Sequence, residues 1–365
     1  MIRIPVTLSL YLSRQFILSF LVILLGLLAV VFIGEALELL RRSASHPDIT
    51  FGLVMGMAAF KLPGTAQVML PSIVLFTALY FFWRFTRTHE LEVTRASGIS
   101  VWNFLAPVAC AAMLLGVVEV AVVNPLSAAM SGRFERMEDK YFRGRPTTLD
   151  ISSSGIWISQ ADSKGHAFIH AESLKPGTFD LQSIIVFQNP HDIAASLRID
   201  AESAHLAVGA WELTNAVIRR SGEPVRNEAL FRLPTDLTQE RIEDSFASPT
   251  SLSFWQLPDF IHTLKAAGLS SVRHELYFQS LLAKPLLLAA MVLLAAVFGL
   301  RQTRRGGIFA TIVSGLVLGL LLYVLNDIIN TFAQTGGMPV VLAAWGPPLM
   351  GIAAGAAALF HFEDG

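Results

Sequence analysis

The chain has 365 residues, 53% of them hydrophobic and 15% charged, with a formal net charge of −1. Soluble domains carry roughly 25% charged residues, so the composition is that of a membrane protein, and the absence of a basic cluster interleaved with aromatics excludes a nucleic-acid reader. The single cysteine, Cys110, excludes an intramolecular disulfide, and the chain contains no Gly-x-x-x-x-Gly-Lys-Ser/Thr loop with which to bind ATP in the P-loop manner.

Met1 to Gln15 is a mildly basic lead with Arg3 and Arg14. Phe16 to Gly34 is an uninterrupted apolar run, long enough to span roughly 30 Å of hydrocarbon. It has no small-residue cleavage site and too long an apolar core for a signal peptide, so it reads as a helix that stays. The helical pattern continues through Glu35, Glu38, Arg41 and Arg42. Phe51 to Phe85 is apolar but broken by Lys61, Pro63-Gly64 and Pro71. That pattern predicts a tilted or interfacial piece, Phe51 to Leu62, followed by a span ending near Trp83.

Arg84 to Ser100 is a polar island that carries Arg84, Arg87, Glu90, Glu92 and Arg95 and closes at Ser97-Gly98, a helix-stop signal. It reads as a short helix, at about residues 86–98, on the cytoplasmic surface. Val101 to Val123 spans again and closes at Asn124-Pro125. Ser127 to about Arg145 is helical and polar, with Arg133, Arg136, Glu135, Glu138 and Asp139.

The composition then changes. Short alternating or apolar runs at Ile156, His166, Ser183, Ser196, His205, Trp211 and Ala229 are separated by Gly, Asn, Asp and Pro clusters. Such spacing predicts an all-β sandwich or open barrel. Trp211, Trp157, Phe168 and Phe187 read as its core. Helix returns at Ser253 to Gly268, where Ser253 and Gln256 suggest a capping box and Pro258 offers an alternative start. Leu276 to Leu300, entered through Lys284-Pro285, Ile308 to Phe332, and Pro339 to Phe360 are three further spans.

With the N-terminus inside, the short inner segments hold Arg3, Arg14, Arg84, Arg87, Arg95, Arg301, Arg304 and Arg305, and the short outer loops hold only Arg41 and Arg42. This positive-inside bias puts both termini in the cytoplasm and the β-domain outside it. The expected organisation is a polytopic α-helical membrane protein of six transmembrane helices in a 3 + 3 layout. Residues 1–132 carry helices one to three, 133–270 the inserted β-domain with connector helices, and 271–365 helices four to six.

No nucleophile with a base and no His-Glu-x-x-His pair lies in the spans, so intramembrane hydrolysis has nothing to run on. His166 and His170 share a strand face, but two histidines make no zinc site and a solvated face explains them. The polar island is more informative. Topology accounts for its arginines but not for its two glutamates or its helix-length spacing. His89-Glu-Leu-Glu-Val-Thr-Arg-Ala-Ser-Gly98 resembles the coupling-helix motif of the LptF/LptG lipopolysaccharide export permeases. The resemblance extends to the 3 + 3 layout, to Leu264-Lys-Ala-Ala-Gly268, to Tyr323-Val-Leu, and to Leu342-Ala-Ala-Trp-Gly-Pro347, and the closing half resembles the LptG type more than the LptF type.

The resemblance implies a permease subunit of the bacterial inner membrane with no cofactor. Its expected partners are a dimeric cytoplasmic ABC ATPase (LptB-like), a second permease (LptF-like), a single-span LptC-like protein and a periplasmic LptA-like jellyroll. The β-domain would itself be a jellyroll that receives lipopolysaccharide from the outer leaflet through an opening formed by spans one and five. Glu90 would be the acid that meets the ATPase, with Arg95 and Gly98 in the same motif. Arg41, Arg42, Arg133 and Arg136 lie where lipid A phosphates lie, and arginine forks match phosphate oxygens. Each also has a local reading, since Glu38 can pair with Arg41 or Arg42, and Glu135, Glu138 and Asp139 surround Arg133 and Arg136. Where the family often has a basic residue in the first span, this chain has Glu35. Lone intramembrane acids facing lipid are costly, so Glu35, Glu119 and Asp327 are expected to bond partner helices or face a wet cavity. A second reading is an ABC-associated protein that transmits motion to a periplasmic partner without carrying substrate.

Overall fold

A computed structural model describes residues 6–44, 49–96, 99–143, 149–152, 155–162, 165–174, 180–189, 197–220, 223–235, 248–266, 269–300 and 308–363. The helices in chain order are α1 (Val6–Ser43), α2 (Phe51–Arg87), α3 (Glu90–Ala96), α4 (Val101–Val118), α5 (Asn124–Glu138), α6 (Leu257–Ala266), α7 (Val272–Gly299), α8 (Ile308–Gln334) and α9 (Val340–Glu363). A π-helical turn, Glu119–Val123, joins α4 to α5. Among the described residues, six helical stretches are long and apolar enough to cross a membrane: α1, α2, 101–142, α7, 317–334 and 340–361. Three come before the strands and three after. The chain divides into two compact units, Met1–Ser131 with Glu275–Gly365, and Gly132–His274.

The helical unit is built on α2. Leu12, Phe16 and Phe20 recur every four residues on α1 and are buried, the spacing that aligns side chains on one helical face. Phe16 meets Phe81 of α2 edge-to-face at 5.9 Å. Phe81, Phe82, Phe85 and Phe104 form an aromatic cluster, with Phe81 and Phe85 4.5 Å apart and Phe85 and Phe104 5.7 Å apart. Such pairs contribute roughly 0.5–1.5 kcal/mol each beyond their buried area. Leu288, Met291, Val292, Ala295 and Ala296 of α7 close this core. Small residues let the backbones approach: a Cβ on Gly116 would stand 2.6 Å from the Cα of Pro285, and one on Gly299 2.7 Å from Phe82 Cβ.

One expectation is corrected here. Phe51 to Trp83 is not an interfacial piece followed by a separate span. It lies in one continuous 37-residue helix with Pro63 and Pro71 inside it. Proline removes a helical hydrogen bond and crowds the preceding turn, but a helix held by neighbours on its sides carries that defect without ending. Likewise α7 begins at Val272, so Lys284-Pro285 lies in its interior rather than at its entrance.

Among the described residues, the second unit holds seven strands, β1 (Leu149–Ser152), β2 (Gly155–Asp162), β3 (Gly165–Leu174), β4 (Asp180–Asn189), β5 (Leu197–Ala207), β6 (Ala210–Arg220) and β7 (Arg226–Pro234). They pair antiparallel in sequence order. The run whose described part begins at Leu197 and the run at His205 belong to one long strand, β5, while Ser196 lies outside the described residues. Alternation sorts the residues by face. Ile156, Ile158, Ile169, Ala171, Ile184, Val186, Ile199 and Trp211 are buried, and Leu264 of α6 and Leu269 join them. The core reading of the aromatics holds for Trp211 alone, which is 1% exposed. Trp157, Phe168 and Phe187 lie on the opposite face at 39%, 45% and 40% exposure. There Phe168 stands directly across from Phe187, the Trp157 ring lies 4.3 Å from His170, and the Arg198 guanidinium lies 5.6 Å from the Phe187 ring. The backbone N–H and side-chain hydroxyl of Ser253 both donate to Gln256 Oε1, at 3.1 and 2.9 Å. This is half of a capping box, and α6 starts just beyond it at Leu257.

Candidate functional site

The turn between α2 and α3 makes the polar island a separate helix. The N–H of Thr88 donates to Arg84 O at 3.0 Å, which ends α2. His89 then takes a φ of 59°, a left-handed conformation that a residue with a Cβ adopts at a cost. The chain turns there, and α3 restarts as Val93 N–H donates to His89 O at 3.1 Å. Glu90 and Glu92 occupy the first turn of α3, where carboxylates are favoured by the exposed N–H groups of a helix start.

Glu90 holds this corner together. Its Oε1 accepts from Thr88 Oγ1 at 2.9 Å and its Oε2 from Tyr11 Oη of α1 at 3.3 Å. One carboxylate therefore joins α3 to the end of α2 and to the start of α1. The Tyr11 ring meets Phe85 edge-on at 6.2 Å, so the contact backs onto the aromatic cluster. Glu92 is exposed and pairs with His89 of its own turn, at 3.0 Å. Arg87 lies over the Trp83 ring at 5.9 Å. Arg95 lies in the last turn of α3, and its side chain, like Gly98, is outside the described residues. Tyr11 was not legible as a site residue, because a tyrosine in the mildly basic lead carries no local signal of a partner 79 residues away.

The basic residues near the end of α1 have different partners. Arg41 is exposed and makes a two-point contact with Glu38, at 2.9 Å from Nη2 to Oε1 and 3.0 Å from Nε to Oε2. The local reading of Arg41 thus describes its geometry, and Arg42 beside it is half-buried. Lys61 of α2 donates to Glu35 Oε2 at 2.7 Å, so Glu35 bonds a partner helix. A lone lysine in one apolar run and a lone glutamate in another are the visible halves of that pair. In the other unit, Arg133 and Arg136 are exposed and lie three residues apart along α5, close enough to share a helical face.

The second intramembrane acid is also bonded between helices. Lys284 of α7 donates to Glu119 Oε1 at 2.9 Å, and Gln67 of α2 donates to the same oxygen at 2.7 Å. The side chain of Asp327 is outside the described residues.

Several apolar spanning-length helices, a polar corner helix fastened to two of them and an inserted antiparallel sheet define a multi-pass membrane protein with an appended β unit. The family model described as lipopolysaccharide export system permease LptF/LptG matches residues 10–361, and the chain belongs to that family. It is similar to the lipopolysaccharide export system permease protein LptG of Haemophilus influenzae, 24% identical over 351 residues, which cover 94% of this chain and 95% of that protein. It is also similar to LptG of Escherichia coli K12, 23% identical over 347 residues, 92% of each chain.

Proposed function

We propose that this chain is an LptG-type permease subunit of an ATP-driven exporter that takes lipopolysaccharide from the outer leaflet of the bacterial inner membrane and passes it to a periplasmic β bridge. Family membership over nearly the whole chain supports the substrate and the class of partner. On this reading the six helices are arranged 3 + 3, both termini are cytoplasmic, and the sheet is a periplasmic jellyroll module. Residues 1–132 and 271–365 form the membrane part, and 133–270 the exported part. The nucleotide site belongs to a cytoplasmic ABC ATPase dimer of the LptB type. A second permease, LptF-like, and a single-span LptC-like protein complete the membrane complex, and an LptA-like jellyroll receives the lipid.

The observation that carries the proposal is the corner at Glu90. A protein without its own P-loop receives work through a surface, and a short helix turned off the end of α2 presents one. We assign residues 86–98 as the coupling helix, Glu90 as the residue that meets the ATPase, and Arg95 and Gly98 as supporting members of the motif. Glu90 is placed so that a displacement of α3 pulls on α1 through Tyr11 and on α2 through Thr88. Arg41, Arg42, Arg133 and Arg136 are assigned to lipid A phosphates. Arg41, Arg133 and Arg136 are exposed and Arg42 half-buried, and Arg41 would exchange Glu38 for a phosphate.

Photo-crosslinking from the sheet tests the proposal. A photoreactive residue placed along the buried face of β3 or β4 in the assembled complex should capture lipopolysaccharide only with ATP present. A sheet that never captures lipid while the complex hydrolyses ATP would leave a subunit that passes on motion alone.

A further inference from the structure

Glu119 and Lys284 are buried charges in spanning helices, with side chains 6% and 13% exposed. The contact ties α7 to the helix that begins as α4, and Gln67 adds α2 on the same oxygen. Buried charges in a membrane-spanning segment are retained where they do something, and nothing in the lipid path or the coupling surface as assigned above uses these three.

The backbone beside them is unusual in the same place. The π-helical turn begins at Glu119, and the N–H of Asn124 donates to the Glu119 carbonyl. In a regular α-helix, residues five apart point roughly 140° away from each other. The wider turn brings Glu119 and Asn124 nearer to one face, and both meet α7: Glu119 at Lys284, and Asn124, whose side chain donates to Tyr277 Oη at 3.0 Å. Lys284 and Tyr277 are two full turns apart on α7, hence on one stripe. The π turn therefore matches two polar contacts on one helix to a two-turn repeat on the other. A few residues before it, Gly116 lets α4 touch the backbone of Pro285, the residue after Lys284, with no room for a Cβ. In a regular α-helix the two side chains would diverge, so the π turn favours both contacts on one neighbour.

We infer that Glu119–Lys284 and Asn124–Tyr277, aligned by the π turn and joined to α2 by Gln67, form a two-point latch that makes the second, third and fourth spans turn as one body when the coupling helix is driven. This rests on the export function proposed above. The latch is a positioning device: it touches neither lipid nor nucleotide. It makes the ratio of lipid delivered to ATP hydrolysed depend on an ion pair far along the chain from α3.

The test uses the complete complex in proteoliposomes, measuring ATP hydrolysis and lipopolysaccharide release together. Lys284→Met and Glu119→Leu should each lower lipid released per ATP by about tenfold while hydrolysis changes little. The exchange Glu119→Lys/Lys284→Glu should recover most of the loss, because Gln67 can accept from a lysine as well as donate to a glutamate. Gln67→Leu, which leaves the ion pair whole, should lower the ratio by about threefold. A ratio unchanged in assembled single variants, or a charge exchange no better than the worse single variant, would make the pair a static staple and overturn the inference. If the single variants do not assemble, Gln67→Leu decides, and an unchanged ratio there overturns it. A wild-type complex that released no lipid would instead sink the export function itself, before any variant is compared.

Discussion

Lys61 Nζ of α2 lies 2.7 Å from Glu35 Oε2 of α1. The pair is half open, with side chains 42% and 19% exposed, so it has two properties at once: it fastens two spanning helices, and it leaves a cation within reach of a phosphate. If the chain carries lipopolysaccharide as proposed, Glu35 competes with a lipid phosphate for Lys61. Lipid A binding at this point would displace Glu35 from Lys61 rather than meet an unoccupied base.

Glu35→Gln should therefore increase lipopolysaccharide capture and Lys61→Met should decrease it, each by several-fold, since a neutral partner holds an ammonium less tightly than a carboxylate does. Partitioning of labelled lipopolysaccharide onto the complex in nanodiscs measures both. Equal capture by the two variants would show that the pair is only an interhelical tie.

The two acids of α3 should differ sharply. Glu90 bridges three helices, whereas Glu92 is exposed and pairs with His89 of its own turn. Glu90→Ala should weaken the permease–ATPase interface by about 2 kcal/mol or more, the cost of leaving a desolvated partner charge without its mate. Glu92→Ala should change it by less than about 0.5 kcal/mol, as exposed pairs do. Titration of the ATPase onto the membrane complex by surface plasmon resonance distinguishes them.

Tyr11→Phe removes the donor to Glu90 Oε2 and keeps the ring against Phe85. It should leave helix packing unchanged and reduce coupling modestly, whereas Tyr11→Ala should do both kinds of damage. Thermal unfolding in detergent and lipid release per ATP separate the two effects.

Within the sheet, Trp211→Ala empties the largest fully buried side chain and should cost about 3–5 kcal/mol. Trp157→Ala, on the open face, should cost about 1 kcal/mol or less. Proteolysis of the β unit in increasing urea reads both, and similar losses would mean that the two faces are equally buried in the assembled protein.

Gly116→Ala should cost about 1–3 kcal/mol through overpacking. The Cβ it adds would press on the backbone of Pro285, which cannot swing away as a side-chain end can. The same substitution at Gly26, where nothing lies within 4 Å, should be neutral or slightly stabilising.

The long elements were legible because their signals are local. An apolar run such as Phe16 to Gly34 needs no distant partner to be recognised as a span, and the short β-branched and aromatic run at Ile156 to Ile158 identifies a strand locally. The period-2 phase that places Trp157 and Phe168 on the open face becomes readable only once the strand register is fixed. What could not be read is pairing at a distance. Glu119 and Lys284 are 165 residues apart and Tyr11 and Glu90 are 79 apart, and a single chain carries no mark linking them. Nor does any residue type announce a π turn at Glu119–Val123. It coincides with two contacts to α7, a tertiary relation that local propensity does not record. Pro63 and Pro71 misled for the opposite reason: their local signal is strong, and packing along α2 overrides it.

The most direct measurement is ATP-driven release of lipopolysaccharide from proteoliposomes holding the full complex, comparing the wild type with Glu90→Ala and Glu92→Ala. The wild type and Glu92→Ala should release lipid in proportion to ATP consumed, and Glu90→Ala should release almost none. Release by Glu90→Ala at the wild-type rate would contradict the assignment of α3 as the point where work enters this protein.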